Sequence, residues 1–148
     1  MAILAENRKA RFDYEILETF EAGLVLNGQE VKSAKAGRMQ IAGSHVSIRG
    51  GEAYLAGSSI PPYQPINAPS DYAPERNRKL LLRKHELSSL LGKSAQMGLT
   101  IIPLKVYTLK GNIKLEIALA RGKKKHDKRQ VLKRREHERE IRKHLRLS

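Results

Sequence analysis

The sequence predicts a mainly β domain, a small closed or partly open barrel, followed by a strongly basic C-terminal tail. In residues 1–120, apolar and polar residues alternate over several short segments, which is the period of half-buried strands. Glycine-containing turns and a proline-rich loop separate these segments. Residues 121–148 differ, because they contain 13 Lys or Arg, 4 Asp or Glu and few apolar residues. We therefore place the boundary between domain and tail after residue 120.

The first strands are expected close to the N-terminus. Residues 12–16, FDYEI, alternate between apolar and acidic residues, so one face of a strand would hold Phe12, Tyr14 and Ile16. Residues 20–23, FEAG, contain the glycine expected of a tight turn. A second strand then follows at about residues 22–26. This interpretation places Glu21 in a turn.

A helix and a hairpin are expected next. After the turn signal Asn27-Gly28, the segment GQEVKSAKAG predicts a short helix that is closed by Gly37. Residues 45–49, HVSIR, and 52–56, EAYLA, alternate on either side of a Gly-Gly pair. That arrangement is a strong signature of a β-hairpin.

The middle of the chain predicts a long loop, a strand and a second helix. Residues 58–76 hold five of the six prolines, which favours an irregular loop. Residues 80–82 form a strand-like apolar run. In the segment ELSSLLGKSAQMG the leucines recur at helical spacing, and Gly98 is a stop signal.

The clearest strand pair lies at the end of the domain. Ile102, Leu104 and Val106 alternate with Pro103 and Lys105, and residues 113–119 alternate after a Lys-Gly-Asn turn. Pro103 indicates an edge strand or a bulge, because proline cannot donate to a strand ladder. About six short strands with two small helices match the pattern of oligonucleotide-binding-fold barrels.

The basic tail indicates an anionic partner. The chain carries a formal charge of +14, of which residues 121–148 contribute +9. Residues 121–129, RGKKKHDKR, have almost nothing to bury. Residues 130–146 are good helix formers, but their apolar stripe is thin and consists of Val131, Leu132, Ile141 and Leu145. We therefore expect a tail that is disordered when free and helical when bound.

Several functional classes lack support in the sequence. No apolar run approaches the ~20 residues that span a bilayer, and there is no signal peptide, so we expect no membrane contact. Cysteine is absent, which favours a reducing, cytoplasmic location. The five histidines show no metal-binding spacing, and phosphate-loop and nucleophile-elbow motifs are missing. We expect no catalytic residues, no metal, no cofactor and no enzymatic activity, and we expect a monomer.

Nucleic acid, and RNA in particular, is the anion that best fits the charge density, since phosphate contacts release counterions. A tail that serves only solubility is the alternative. The domain also contains two basic clusters. The first is Arg8, Lys9 and Arg11, and the second is Arg76, Arg78, Lys79, Arg83 and Lys84. Each cluster is either an RNA surface or an ordinary solvated face. Aromatic residues are scarce, which favours recognition of folded RNA by shape over stacking on single strands.

Glu21 is unusual because it is an acid in the expected tight turn FEAG of a basic protein. It is either a solvated turn residue or an acceptor for the N–H groups of RNA bases. In the second case its negative charge would select against the wrong RNA without adding raw affinity.

Five segments, in this order and spacing, resemble the family of SsrA-binding proteins, also called small protein B. They are NRKAR, FEAGLVLNGQEVKS, RKLLLRKHEL, GLTIIPLKVY and ARGKKKHDKR, and the resemblance extends from Asn7 to the C-terminus. It implies a six-stranded barrel of oligonucleotide-binding character with three helices. It also implies binding to the tRNA-like domain of transfer-messenger RNA (tmRNA) and action on stalled 70S ribosomes in bacterial ribosome rescue. In this process the basic tail enters the empty mRNA channel near the small-subunit decoding centre.

The resemblance also implies roles for individual residues. The RNA contacts of the domain fall on Asn7, Glu21, Leu81 and Lys114, and basic neighbours of these motifs extend the expected surface to Arg8, Lys9, Arg11, Arg78 and Lys79. The ribosome-binding motif of the tail falls on Gly122, Lys123, Lys124, His126, Asp127, Lys128 and Arg129. Gly122 would act as the hinge between strand and tail.

Two other functions stay open from the sequence. A structural ribosomal protein, or a general RNA-binding translation factor, would also be small, basic and tailed. A barrel-based RNA-modifying enzyme would need a cofactor site or a positioned nucleophile, and no motif for either is present.

Overall fold

One antiparallel sheet of seven strands is the main element of the computed structural model, which describes residues 1–96, 98–123 and 133–142. The strands are β1 (Ile3–Glu6), β2 (Tyr14–Leu24), β3 (His45–Arg49), β4 (Glu52–Ala56), β5 (Arg78–Leu81), β6 (Leu99–Leu109) and β7 (Asn112–Gly122). Their spatial order is β1-β6-β7-β2-β5-β4-β3, so β2 is central, β7 lies beside it in the interior, and β1 and β3 form the edges. The predicted mainly β class is confirmed.

Four α-helices accompany the sheet within the described ranges: α1 (Ala10–Asp13), α2 (Gly28–Lys35), α3 (Lys84–Ser94) and α4 (133–142). The predicted α2 is confirmed, and it begins with a capping box in which Asn27 and Glu30 bond each other's backbone N–H. Gly37 follows in the left-handed region with φ +80°, as a helix-ending glycine does. None of the helices in the described part of the chain is long and apolar enough to cross a membrane.

The described strands form an open sheet, in place of the predicted six-stranded barrel. β3 curls back to lie against β6, but no ladder of hydrogen bonds between described strands joins these two into a closed ring. The seventh strand, β1, pairs antiparallel with β6. It was missed because ILAE is too short for an alternating pattern to be visible.

The predicted turn at FEAG is wrong, because β2 runs unbroken through it. β2 pairs with β7 from Tyr14 opposite Gly122 to Gly23 opposite Lys114, with one irregularity between Ile16 and Glu18. This long ladder outweighs the turn preference of a single glycine. Phe12 lies in α1, so the predicted face shared by Phe12, Tyr14 and Ile16 is also wrong.

A β-bulge in β6 divides the outer face of the sheet. Leu104 is the extra residue between Pro103 opposite Ile117 and Lys105 opposite Glu116, which confirms the bulge expected at the proline. The bulge puts Leu104 and Val106 in different apolar clusters, although simple alternation predicted a common face. Val106 belongs to the main core beneath the sheet, and Leu104 to a smaller cluster with Ala10 of α1.

Candidate nucleic-acid interface

Two adjacent rows of residues cross the part of the outer face that α1 leaves uncovered. One row crosses β1, β6, β7 and β2 through Glu6, Lys105, Glu116 and Glu21. The next crosses β6, β7, β2 and β5 through Tyr107, Lys114, Gly23 and Leu81. We call six of these side chains the outer-face cluster: Glu21, Leu81, Lys105, Tyr107, Lys114 and Glu116. Glu21, Leu81 and Lys114 are far apart in the sequence, and the resemblance implies that all three contact RNA. The two rows therefore place them on one surface.

Tyr107 links the two rows. Its hydroxyl donates a 2.5 Å hydrogen bond to Oε2 of Glu21, although the two residues belong to strands on opposite sides of β7. Nζ of Lys105 lies 5.6 Å from the centroid of the Tyr107 ring, within range of a cation–π interaction. Burial, the hydrogen bond to Glu21 and the negative charge of that carboxylate together raise the pKa of Tyr107 well above its ordinary value. The hydroxyl therefore stays protonated and available as a donor at neutral pH.

Leu81 owes its position to the glycine opposite it. A Cβ added at Gly23 would lie 3.3 Å from the Cβ of Leu81, so the leucine packs where a side chain would otherwise stand. Even so, 55% of Leu81 is exposed. It is an apolar group beside charged ones, and such a group can pack against a ribose or a base.

One cross-strand pair of charges in the cluster is unfavourable for the free protein. Glu21 and Glu116 are directly opposite each other on β2 and β7, and like charges at such positions destabilise a sheet. Among the described residues, no carboxylate forms an ion pair with Lys114. A carboxylate pair beside an uncommitted cation matches a ligand that offers both N–H donors and phosphate.

Asn7 holds the N-terminal segment against the bulge of β6. Its side-chain nitrogen donates to the carbonyl oxygen of Pro103 at 3.0 Å, and its backbone nitrogen donates to that of Leu104 at 2.8 Å. A bulge leaves backbone groups without ladder partners, and Asn7 satisfies two of them. The side chain implied to contact RNA thus has a clear part in the fold.

Replacing Asn7 with Ala is expected to lower the free energy of unfolding by about 1 kcal/mol, because the Pro103 carbonyl loses its donor. Asn7→Asp keeps the shape without the donor and should do the same. Asn67→Ala, in an exposed loop, should have a smaller effect. The urea midpoint of each variant measures this. Unchanged stability with weaker RNA binding would instead make Asn7 a direct RNA contact.

The basic cluster of the N-terminus borders the same face. Arg8, Lys9 and Arg11 are exposed, and the guanidinium of Arg8 lies 3.2 Å from a carboxylate oxygen of Glu6. A groove of about 350 Å³ is lined by Arg8 and Arg11 on one side and by Lys105 and Glu116 on the other. This groove connects the cluster to the outer face.

Arg78 is placed differently from the sequence prediction. It is fully buried, and its guanidinium bonds Glu30, with nitrogen–oxygen distances of 2.7 and 2.8 Å, as well as Ser58 and the carbonyl of Pro74. Arg76 binds the other oxygen of the Glu30 carboxylate. We call Glu30, Arg76 and Arg78 the buried ion cluster. All the polar contacts recorded for Arg78 lie within the fold, so we leave it out of the proposed RNA surface.

Lys79 points to the outer face, because it alternates with Arg78 along β5 and precedes Leu81 by two residues. Its Nζ lies 2.7 Å from a carboxylate oxygen of Glu52, and both side chains are roughly half exposed. The hydrogen bond to Glu52 and the charge of that residue raise the pKa of Lys79. A phosphate would have to compete with Glu52 for this cation.

The start of the tail is fastened to α1. Gly122 is the last residue of β7 and pairs with Tyr14. Lys123 donates from its backbone nitrogen to the carbonyl of Asp13 and from Nζ to that of Arg11, each at 2.9 Å. Lys124, His126, Asp127, Lys128 and Arg129 lie outside the described residues.

Helix α4 exposes every one of its residues, and the guanidinium of Arg135 lies 5.7 Å from the centroid of the Phe12 ring. No apolar face of α4 is covered, in keeping with the thin stripe seen in the sequence. The predicted change from a disordered free tail to a helical bound tail stays a prediction.

Tyr107, Lys105 and Glu116 were missed as site residues. A signal was present, because Lys105 and Tyr107 alternate along one strand, as do Lys114 and Glu116. Their meeting with Glu21 depends on the strand order and register, which a single sequence does not reveal.

The comparisons with known proteins agree with the motifs. The family model described as SmpB protein matches residues 4–147. The chain belongs to the SmpB family. An SsrA-binding protein of Thermosynechococcus vestitus is 52% identical over 139 residues, covering 94% of this chain and 91% of the relative. One of Coprothermobacter proteolyticus is 50% identical over 143 residues, covering 96% and 95%.

A solved SmpB-like structure shares the fold. It is described as "tmRNA-SmpB: a journey to the center of the bacterial ribosome", and it superposes with a TM-score of 0.67 at 48% identity. The match covers 86% of this chain and 92% of that chain. The sheet, the outer-face cluster and the fastened start of the tail can therefore be interpreted within the SmpB family.

Proposed function

We propose that this protein is the non-catalytic RNA adaptor of trans-translation. It binds the tRNA-like domain of tmRNA and delivers it to stalled bacterial ribosomes in the cytoplasm, where the stalled peptide is tagged and the ribosome is released. Its membership of the SmpB family and its similarity to a tmRNA-SmpB chain support this function.

The observation that carries the assignment of the RNA surface is the convergence of Glu21, Leu81 and Lys114 on adjacent rows of one uncovered face. Lys114 supplies charge for a phosphate, Leu81 supplies an apolar contact, and Glu21 accepts from base N–H groups. Arg8, Lys9 and Arg11 extend the cationic border along the adjoining groove. Such a mixed surface suits a folded RNA with a few splayed bases.

The tail is proposed as a second and separate binding element. Lys123 begins it, and Lys124, Lys128 and Arg129 supply positive charge for rRNA phosphates in the mRNA channel. His126 and Asp127 add an imidazole and a carboxylate to the motif, and these groups can accept hydrogen bonds, which Lys and Arg cannot. Gly122 ends β7, and a change of direction at this glycine would require Lys123 to release its two hydrogen bonds to α1.

Replacing Glu21 with Ala is expected to weaken binding to the tRNA-like domain about tenfold, because bases that it contacts lose their acceptor. Charge alone predicts the opposite, since the variant is more positive. Glu15→Ala is the matched control: it removes the same charge from an exposed position on the same strand. Filter binding near 0.15 M salt measures both. Equal or tighter binding by Glu21→Ala would remove Glu21 from the proposed surface.

A further inference from the structure

Tyr107 is the one aromatic residue of the outer-face cluster, and its side chain reaches over β7. Strands in a sheet are about 4.8 Å apart, so the side chains of Tyr107 on β6 and Glu21 on β2 together span roughly two spacings and meet above β7. The side chain lies on the outer face, yet only 5% of the residue is exposed. A buried ring with its hydroxyl directed at an exposed carboxylate is an arrangement that the proposed RNA contacts alone do not explain.

We propose that Tyr107 is a positioning residue for RNA recognition, which holds the Glu21 carboxylate in the orientation that accepts N–H groups from an exposed nucleobase. The proposal rests on the function proposed above and adds a residue that acts through Glu21. Tyr107 itself is too covered to stack on a base.

The physical reason is preorganisation. A glutamate on an exposed strand samples many rotamers, and binding a ligand would cost the entropy of fixing one of them. The bond to the Tyr107 hydroxyl engages Oε2, which restrains the side chain before RNA arrives. No hydrogen bond between described residues engages Oε1, so its lone pairs can accept from the ligand.

The neighbours of Tyr107 reinforce this arrangement. Lys105 lies over the ring, and Lys114 is paired directly opposite Tyr107 in the ladder. These two cations offset the repulsion between Glu21 and Glu116. The burial that raises the pKa of Tyr107 also keeps its hydroxyl a donor throughout the neutral range.

Tyr107→Phe tests the proposal, because it removes the hydroxyl and keeps the buried ring. We expect affinity for the tRNA-like domain to fall roughly two- to tenfold, because the free Glu21 side chain would then lose its rotamer freedom only on binding. Tyr72→Phe is the matched control, since the hydroxyl of Tyr72 bonds the carbonyl of Ile60 at 2.8 Å, far from the cluster. The control should leave the affinity unchanged. Thermal unfolding of each full-length variant reports whether the fold is retained.

A double-mutant cycle with Glu21→Ala separates positioning from a structural role. Without the carboxylate there is nothing to position, so Tyr107→Phe should cause no further loss in the Glu21→Ala background. An equal loss in both backgrounds would overturn the proposal, because Tyr107 would then act without Glu21.

The remaining outcomes distinguish this proposal from the one on which it rests. If Glu21→Ala weakens binding and Tyr107→Phe does not, positioning by Tyr107 is rejected and the RNA surface stands. If neither variant weakens binding, both the surface assigned to Glu21 and the role of Tyr107 are rejected.

Discussion

Removing residues 124–148 is expected to leave binding to the tRNA-like domain within about threefold of wild type while reducing peptide tagging to background. The cut after Lys123 keeps β7 and both hydrogen bonds that Lys123 makes to α1. The removed segment carries 11 basic and 4 acidic residues, so part of its effect is nonspecific charge. Binding should therefore be measured near 0.15 M salt, where distant charges are screened. Tagging is measured on a stalled message in a reconstituted translation system.

The matched control for this truncation keeps the composition of the tail and scrambles the order of residues 124–148. If charge alone is enough for the tail to bind the mRNA channel, the protein with the scrambled tail will support tagging. We expect it to fail, because the motif from Lys124 to Arg129 has a specific order. Loss of tmRNA binding in the truncated protein, or tagging that survives, would contradict the division of labour between domain and tail.

Replacing Glu30 with Gln is expected to destabilise the domain by about 3–5 kcal/mol, the effect of leaving a buried charge without its partner. Arg78 is fully buried and would keep its charge while losing its counter-ion. The free energy of unfolding of a native domain is only about 5–15 kcal/mol, so this loss would be a large fraction of it. Arg76→Ala is the control, because this second partner of Glu30 is 38% exposed and should cost much less. A shift in the urea midpoint no larger than that of Arg76→Ala would disprove the prediction.

The same cluster predicts an acid sensitivity. Burial raises the pKa of Glu30, but hydrogen bonds from Arg76, the Asn27 backbone and Arg78 outweigh burial and bring the pKa below its ordinary 4.5. A carboxyl with a lowered pKa in the folded state stabilises the fold above its unfolded pKa, and that stability is lost as pH falls below 4.5. Chemical unfolding measured from pH 6 to pH 3 should show a loss in wild type that Glu30→Gln partly lacks.

The buried ion cluster also affects the RNA surface. It ties α2 to β5 and to the loop of residues 58–76, through the bonds of Arg78 to Ser58 and Pro74. β5 carries Leu81 and Lys79 on its other face. Weakening the cluster should therefore loosen the edge of the proposed interface.

Elements with strong local signals were predicted correctly from the sequence. The capping residue Asn27 and the glycine at 37 define α2, and paired glycines define the hairpin of β3 and β4. β2 was split because Gly23 has a turn preference, whereas its actual role is to leave room for Leu81. That role arises from a strand that is remote in sequence, so local patterns cannot show it.

The candidate site was predicted only residue by residue. Motif positions supplied Glu21, Leu81 and Lys114, but their assembly on one face depends on the register of β2, β5 and β7. Arg78 lies in a basic run that resembles a solvated surface, and its burial is explained by Glu30, which is 48 positions away in sequence. A charge run does not reveal which of its members has a buried counter-ion.

The exit of the tail from an interior strand has a mechanical consequence. β7 is bonded along its length to both β2 and β6, and antiparallel hydrogen bonds lie perpendicular to the strands. A pull on the C-terminus along β7 therefore loads many of these bonds together in shear, whereas an edge strand could be peeled away one bond at a time. A force that a bound ribosome exerts on the tail would therefore be borne by the whole sheet.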